Sequence, residues 1–266
     1  IETWMTGIII TAFSALVILG GIKSISKASS VIVPIMAVGY VAGGLIIILN
    51  NLELVMPALK MIFSYAFTGE AAVGGAIGAA IRYGVARGVF SNEAGMGSAP
   101  IAAAAAKTDH PARQGLVSMT GTFIDTIIVC SITGIVLVMG YIMAGNSFGD
   151  QTGAVLTISA FDKLLPGIGG WIVTLGIIFF AYSTILGWSY YGEKCATYLL
   201  GEKFVLPYRI IYIASVFIGC VATLDLVWLF ADTFNGLMAV PNLIALLLLS
   251  GVIAKESKDF IARRKS

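Results

Sequence analysis

The chain has 266 residues, of which 58% are hydrophobic and 11% are charged, and its mean hydropathy is +0.96. Soluble domains have about 45–50% apolar and about 25% charged residues, so this composition excludes an ordinary soluble core. The net charge of +2 comes from scattered basic residues and gives no support for nucleic-acid binding, while three cysteines and one histidine support neither a disulfide framework nor a zinc site.

Long apolar runs recur along the chain and predict an all-α polytopic membrane protein. About 20 apolar residues cross the hydrocarbon core of a bilayer. Seven runs approach or exceed that length: 4–21, 31–50, 77–105, 115–142, 171–192, 209–224 and 227–253. No basic segment with a cleavage site precedes the first run, which argues against a signal peptide. We therefore expect a single transmembrane bundle (1–266) that is a fragment or a processed chain.

Residues 51–75, between the second and third runs, predict an amphipathic helix on one rim of the membrane. Six apolar residues recur there at helical spacing beside Glu53 and Lys60: Leu52, Val55, Met56, Leu59, Ile62 and Phe63.

The distribution of basic residues predicts the orientation. Twelve of the sixteen fall in alternate loops and in the tail: Lys23, Lys27, Lys107, Arg113, Lys194, Lys203, Arg209, Lys255, Lys258, Arg263, Arg264 and Lys265. Because Lys/Arg-rich loops of plasma-membrane proteins are cytoplasmic, seven runs place the N-terminus and the 51–75 connector outside the cell. The C-terminus is then cytoplasmic.

The third run is irregular. Between Gly84 and Pro100 it carries four glycines together with Asn92, Glu93 and Ser98. Lipid satisfies neither an opened backbone nor a bare carboxylate, so such a segment must be buried in protein or line a watery cavity. The pattern predicts non-helical backbone near residues 90–98 that faces the interior of the bundle.

Polar side chains inside the other runs are further candidates. They are Asp125, Ser183, Thr184, Asp232, Asn235 and Asn242, and a charge at that depth costs about 2.5–3.5 kcal/mol or more. Each has a simpler interpretation as well. Serine and threonine in membrane helices often bond the carbonyl one turn back, and the two aspartates can join helices or belong to a gate network.

Trp188 lies four residues after Thr184, so both side chains occupy one helix face. One interpretation is a flat apolar wall beside hydroxyl groups in a small pocket. The other is an interfacial anchor near the end of a span. Helical geometry permits both.

Four stretches resemble the alanine or glycine:cation symporters, also called the sodium:alanine symporter family. They are RYGVARGVFSNEAGMGSAPIAAAAAKT, RQGLVSMTGTFIDTIIVCSITG, FAYSTILGWSYYGEKC and LFADTFNGLMAVPNLIALLLLS. The resemblance covers essentially the whole chain. It implies a LeuT-like transporter with two inverted repeats of five helices, in which the seven runs are core helices four to ten. It also implies that the N-terminal helices, with half of the site, are missing from these residues.

The resemblance further implies Na⁺-coupled, and sometimes H⁺-coupled, uptake of small neutral amino acids, alanine and glycine especially. Ser183 and Thr184 would then lend oxygens to Na⁺. An amino acid is a zwitterion that suits the exposed N–H and carbonyl groups of an interrupted helix. The expected substrate-binding residues are Phe90, Asn92, Gly95, Met96, Gly97, Thr184 and Trp188, and Glu93, Asp125, Asp232 and Asn235 are expected in a gate or proton network.

Other classes of function stay open from the residues alone. A channel would use rings of charge or carbonyls, and an intramembrane aspartyl enzyme would use Asp125 and Asp232. The sequence has no HExxH motif and no nucleophile–histidine pair, which disfavours an enzyme. A structural membrane subunit has no need of FSNEAGMGS, and a Na⁺-coupled transporter of another small solute is the second interpretation.

Overall fold

The computed structural model describes residues 2–67, 84 and 86–265, and all regular structure within these residues is helical. The order is α1 (Thr3–Ile18), α2 (Gly21–Asn50), α3 (Leu52–Phe67), α4 (86–92), α5 (Ala99–Ala103), α6 (Pro111–Thr122), a π-helical segment (Phe123–Cys130), α7 (Ser131–Met143), α8 (Gly153–Leu164), α9 (Gly169–Leu200), a 3₁₀ turn (Glu202–Phe204), α10 (Val205–Val221) and α11 (Leu224–Lys265).

Five of the described helical stretches are long and apolar enough to cross a membrane: Gly21–Asn50, Pro111–Met143, Gly169–Leu200, Glu202–Val221 and Leu224–Arg263. At 1.5 Å per residue, 20 helical residues already reach about 30 Å, the thickness of the hydrocarbon core. Helix α1 is apolar but shorter. The fold is thus that of a polytopic helical membrane protein. Part of the predicted run 77–105 and the end of the 51–75 connector, residues 68–75, lie outside the described residues.

Two compact units divide the chain. The second unit comprises Ile25–Val85 and Thr126–Thr184. Its core centres on Tyr40, whose ring meets Phe161 at 5.7 Å and Phe180 at 5.8 Å, and whose hydroxyl lies 2.8 Å from the Thr133 hydroxyl. A buried tyrosine hydroxyl needs such a partner because an unpaired one keeps its full desolvation cost.

Small residues bring the helices of this unit close together. A Cβ on Gly140 of α7 would lie 2.8 Å from the Cβ of Ala160 in α8, and a Cβ on Gly44 of α2 would overlap Ile132. Close backbone approach at glycine and alanine is the usual basis of helix association in lipid. The position of α3 follows from the same core, since Ala58 is buried and Leu54 and Val55 pack against it.

The first unit comprises Ile1–Ser24, Ala86–Asp125 and Ile185–Ser266. Helix α1 packs along α10, where Gly7 faces Phe217 and Cys220. At one end of this pair, the Arg209 Nε donates to Glu193 Oε2 at 2.6 Å and its Nη1 donates to the Leu19 carbonyl at 3.0 Å. One guanidinium therefore neutralises the buried Glu193 carboxylate and satisfies a backbone carbonyl at the end of α1.

Candidate functional site

Residues 93–98 of the first unit, between α4 and α5, are not helical, and we call them the opened segment. Helical bonding continues to the Glu93 N–H, which donates to the Val89 carbonyl at 2.9 Å, and α5 begins at Ala99. The prediction of non-helical backbone was therefore wrong for residues 90–92, which complete the last turn of α4. The opening begins only where Glu93, Gly95 and Gly97 take positive φ angles of 55°, 84° and 86°.

Local hydrogen bonds hold the opened segment in this conformation. The Ser98 hydroxyl donates to Glu93 Oε2 at 2.5 Å, and the Ala94 N–H donates to Asn92 Oδ1 at 2.9 Å. The first bond bridges the opening from end to end. A positive φ costs a residue with a Cβ about 1–2 kcal/mol, so a glutamate in this conformation indicates that the surrounding bonds determine it. The side-chain oxygen of Asn92 thus already accepts a hydrogen bond from the opened segment.

Asn242 of α11 contacts the opened segment; the sequence marked it as a polar candidate inside a run but assigned it no role in the substrate, Na⁺ or network sites. Its Nδ2 donates to the Gly95 carbonyl at 2.9 Å. A Cβ on Gly97 would lie 3.2 Å from the Asn242 side chain, so glycine is needed there for space as well as for φ. The feature in the sequence that marks this residue is an asparagine directly after the intrahelical Pro241. Its partner, Gly95, lies 147 residues away in the chain, so the sequence did not predict their contact.

A cavity of about 400 Å³, with several polar side chains in its wall, lies beside the opened segment. Its wall brings together Asn92, Glu93 and Asp125, three of the predicted site residues, with Ser91 and Tyr191. The Ser91 hydroxyl lies 2.9 Å from Asp125 Oδ1 and 2.8 Å from Oδ2. The remaining lining is mainly small or uncharged: Ala99, Ala102, Ala103, Gln114, Ser118, Gly121 and Thr122. A cavity with two carboxylates and several hydroxyls is suited to a cation or to the ammonium group of a ligand.

Asp125 lies in the π-helical segment Phe123–Cys130. A π turn takes one more residue per hydrogen-bonded ring than an α turn, and such segments are rare and frequent at functional sites. The wider turn shifts the helical register between Thr122 and Ser131, and with it the direction in which Asp125 points. No feature of the sequence marks this segment, because the apolar run is continuous on both sides of it.

The three bulky residues among those expected to bind the substrate, Phe90, Met96 and Trp188, do not line this cavity. Met96 is 2% exposed and is buried within the first unit. Phe90 is 37% exposed and packs against Trp228 with a centroid distance of 5.2 Å. Trp188 packs edge-on against Tyr191, with the ring centroids 5.8 Å apart. Tyr191 lines the cavity, so Trp188 lies behind its wall.

Ser183 and Thr184, the predicted Na⁺ ligands, belong to the second unit. Their hydroxyls donate to the Phe180 carbonyl at 3.0 and 2.8 Å, and Ser183 Oγ also lies 3.8 Å from Met36 Sδ. Both hydroxyls thus bond a backbone carbonyl of their own helix, as serine and threonine in membrane helices often do. A hydroxyl that donates its proton keeps lone pairs on the oxygen, so the bonds leave the oxygens able to accept a cation.

Asp232 takes part in a group of four side chains that we name the Arg87 cluster: Arg87, Phe90, Trp228 and Asp232. The Arg87 Nη2 lies 2.6 Å from each carboxylate oxygen of Asp232. The guanidinium carbon lies 4.1 Å from the Trp228 ring centroid and 5.8 Å from that of Phe90. Asn235, the other predicted network residue, lies in α11 three residues after Asp232 and is half-buried.

Comparison with known proteins identifies the family. The model of the Sodium:alanine symporter family matches residues 1–266. The sodium/alanine symporter AgcS of Methanococcus maripaludis is 58% identical over the whole chain, which covers 58% of that protein.

More distant relatives carry other names. The probable sodium/glutamine symporter GlnT of Bacillus subtilis is 39% identical over 98% of the chain and 54% of its own length. The sodium/proton-dependent alanine carrier protein of Bacillus sp. strain PS3 is 34% identical over 96% of the chain and 61% of its own length. The chain thus spans less than two thirds of the length of these relatives. With the helical membrane fold and the interrupted helix, these matches show that the chain belongs to the sodium:alanine symporter family, which consists of transporters rather than enzymes.

Proposed function

We propose that the full-length protein couples inward movement of Na⁺ to uptake of a small neutral amino acid, alanine or glycine. The observation that carries this proposal is the opening at residues 93–98, held by Asn242 and by the Glu93–Ser98 bond. It separates α4 from α5 within a run that the sequence predicts to cross the membrane, and it keeps peptide groups out of helical hydrogen bonding. Such interrupted helices are the binding elements of secondary transporters. The name of the 58% identical relative supports sodium and alanine.

A zwitterionic amino acid matches the two kinds of group that the opening offers. The carbonyl end of α4 carries partial negative charge and suits the ammonium group, while backbone N–H groups of the opened segment suit the carboxylate. Gly95 and Gly97 have no Cβ to cover them. We assign the substrate side chain to a wall of Met96, Trp188 and Phe90, with Thr184 beside Trp188 on one face of α9.

Na⁺ coupling is assigned to the oxygens of Ser183 and Thr184, and the described helices are assigned to core helices four to ten of a LeuT-like inverted-repeat fold. In this arrangement the C-terminus is cytoplasmic and the site is completed by N-terminal helices of the same protein. Proton coupling is the alternative, since one relative is named a sodium/proton-dependent carrier. The carboxylates of Glu93 and Asp125 in the wall of the cavity beside the opened segment are the groups that would carry a proton.

The substrate is the second point on which the relatives differ. A relative at 39% identity is named for glutamine, so a larger neutral amino acid is the alternative substrate. A glutamine side chain extends three heavy atoms further than the methyl group of alanine. One methylene group in a pocket changes the discrimination between two substrates by about 1–3 kcal/mol. A closed wall would therefore separate the two substrates clearly.

Uptake into proteoliposomes tests this function. The full-length protein is reconstituted with an inward Na⁺ gradient, and uptake of labelled alanine, glycine and glutamine is followed with and without a pH gradient. We expect accumulation of alanine or glycine above the external concentration, saturable and abolished when Na⁺ is replaced by K⁺. Accumulation driven by the pH gradient alone would assign the coupling to H⁺. Downhill, non-saturating flux would instead indicate a channel.

A further inference from the structure

We propose that Trp228 and the Arg87–Asp232 ion pair position the Phe90 ring, and that this contact between α4 and α11 sets the affinity and selectivity of the substrate site. The inference rests on the proposed function, because Phe90 is one of the assigned wall residues. Trp228 and Arg87 act through Phe90, so both are positioning residues. All four side chains belong to the first unit.

The spacing of the four residues joins two helix faces at two points. Arg87 and Phe90 are three residues apart in α4, and Trp228 and Asp232 are four apart in α11, so each pair occupies one face of its helix. Arg87 meets Asp232 at 2.6 Å, and Phe90 meets Trp228 at 5.2 Å with an interplanar angle of 62°. Two separate contacts fix the rotation of α4 as well as its distance from α11.

Arg87 connects the charged contact with the aromatic one. Its edge faces the Asp232 carboxylate while its flat face covers Trp228 at 4.1 Å. Arginine combines an in-plane carboxylate contact with stacking because its guanidinium is planar, and lysine does not. Trp228 is therefore covered by Arg87 and also meets the Phe90 ring in an edge-to-face arrangement.

Burial does not fix the side chains of the cluster. The Arg87 and Asp232 side chains are 37% and 47% exposed, so their contact with each other is what holds them in this part of the chain. Phe90 is itself 37% exposed, so burial alone does not fix its ring. It lies in the last turn of α4, directly before the opened segment, where a small displacement changes the shape of the site.

Transport kinetics separate the two roles. In reconstituted full-length protein we compare wild type with Trp228→Ala, Trp228→Phe, Arg87→Lys and Asp232→Asn, and measure KM, Vmax and competition by serine, valine and glutamine. Trp228→Ala should raise the alanine KM roughly tenfold, the effect expected from losing one aromatic pair and one cation–π contact. It should also admit larger competitors. Trp228→Phe, which keeps an aromatic edge for Phe90, should restore most of the affinity.

The matched control is Trp171→Ala in α9, where the tryptophan is 66% exposed. It should change neither KM nor the competition profile. The charge-exchanged double variant Arg87→Asp with Asp232→Arg should recover affinity relative to either single variant. A Trp228→Ala protein with lower Vmax but unchanged KM and unchanged competition would overturn the proposal, because a merely structural residue alters the amount of folded transporter and leaves its selectivity intact.

A labelling experiment decides on the cluster independently of the transported solute. In a full-length background with every cysteine replaced by serine, Cys130, Cys195 and Cys220 among them, Val89→Cys is placed beside the cluster in α4 and its reaction with a membrane-impermeant thiol reagent is timed. We expect Trp228→Ala to raise the labelling rate several-fold and Trp171→Ala to leave it unchanged. Equal rates in both would contradict the positioning role. Absence of Na⁺-driven amino acid uptake by the wild type would instead contradict the proposed function.

Discussion

Single residues maintain the opening in the interrupted helix. Gly97 combines a φ of 86° with an Asn242 side chain only 3.2 Å from the place of a Cβ. Asn242 in turn satisfies the Gly95 carbonyl that the opening removes from helical bonding. A buried carbonyl without a partner costs about 1–3 kcal/mol, so these two residues together determine whether the opened conformation is stable.

The first prediction concerns Gly97→Ala. Alanine at a positive φ is strained by about 1–2 kcal/mol, and here its methyl group would also lie 3.2 Å from the Asn242 side chain, which must shift to make room. The matched control is Gly145→Ala, because Gly145 has a φ of 74° and nothing within 4 Å of the added Cβ. We expect Gly97→Ala to lower the Tm in detergent more than Gly145→Ala does, and to weaken alanine binding, which Gly145→Ala should leave unchanged. Equal Tm values for Gly97→Ala and Gly145→Ala would show that the Asn242 side chain adds no steric strain at position 97.

The second prediction concerns the two hydroxyls of α9. If their oxygens bind Na⁺, Thr184→Val and Ser183→Ala should each raise the Na⁺ concentration for half-maximal alanine uptake several-fold, with expression intact. Thr174→Val is the control, because the Thr174 hydroxyl makes the same bond one turn back in the same helix, to Gly170 at 2.7 Å. An unchanged Na⁺ dependence in both test variants would leave Ser183 and Thr184 with the helix-bonding role alone.

At the scale of elements, the start of α6 is joined to the end of α11 by the sole histidine of the sequence. His110 is the N-cap residue of α6, and its Nδ1 accepts from the Ala112 N–H at 3.2 Å. Its Nε2 lies 3.7 Å from Glu256 and 3.5 Å from Asp259, and its ring is tilted over Phe260 at 5.1 Å. One buried ring therefore caps one helix and packs against the other.

The third prediction separates these two contributions. His110→Ala removes both the cap and the packing, whereas His110→Asn keeps a favourable N-cap residue and loses only the contact with α11. Loss of an N-cap side chain costs about 1 kcal/mol. We expect His110→Ala to lower the thermal midpoint in detergent more than His110→Asn, and both to lie below wild type. Identical midpoints for the two variants would show that the cap contributes nothing measurable.

The sequence predicted those elements whose cause is local. The glycines at 95 and 97 marked the opening, because a positive φ favours glycine wherever it occurs, and the apolar runs predicted the long helices. The end of α4 was placed too early because Phe90 to Asn92 keep ordinary helical bonding beside a break that starts at Glu93. The π-helical segment around Asp125, the Asn242–Gly95 bond and the Arg87 cluster depend on register or on partners far apart in the chain, which periodicity does not reveal.

At the scale of the whole molecule, family membership and substrate are separate questions. Relatives that match most of this chain are named for alanine and for glutamine, so family membership alone does not select the substrate. Under the proposed function, we expect the selectivity to depend on the residues assigned to the wall. Met96 in the opened segment and Trp188 in α9 are two of the assigned wall positions, and both belong to the first unit.

The last prediction tests that assignment. Met96→Ala and Trp188→Phe each enlarge the space at the substrate's α-substituent. Both variants should therefore lose some alanine affinity and gain binding of valine- or leucine-sized amino acids, by about tenfold if each added methylene contributes 1–3 kcal/mol. Competition binding to the full-length protein measures this change.

Two controls separate a wider pocket from general destabilisation. Met96 is buried, so its truncation also creates a cavity that costs about 2–5 kcal/mol of stability. Met139→Ala creates a comparable cavity at a fully buried position in the core of the other unit, and it should reduce stability without changing the substrate range. Trp171→Phe serves the same purpose for Trp188→Phe at an exposed position of α9. If Met96→Ala and Trp188→Phe keep the wild-type range, these residues do not form the wall, and Trp188 is left with its packing contact to Tyr191.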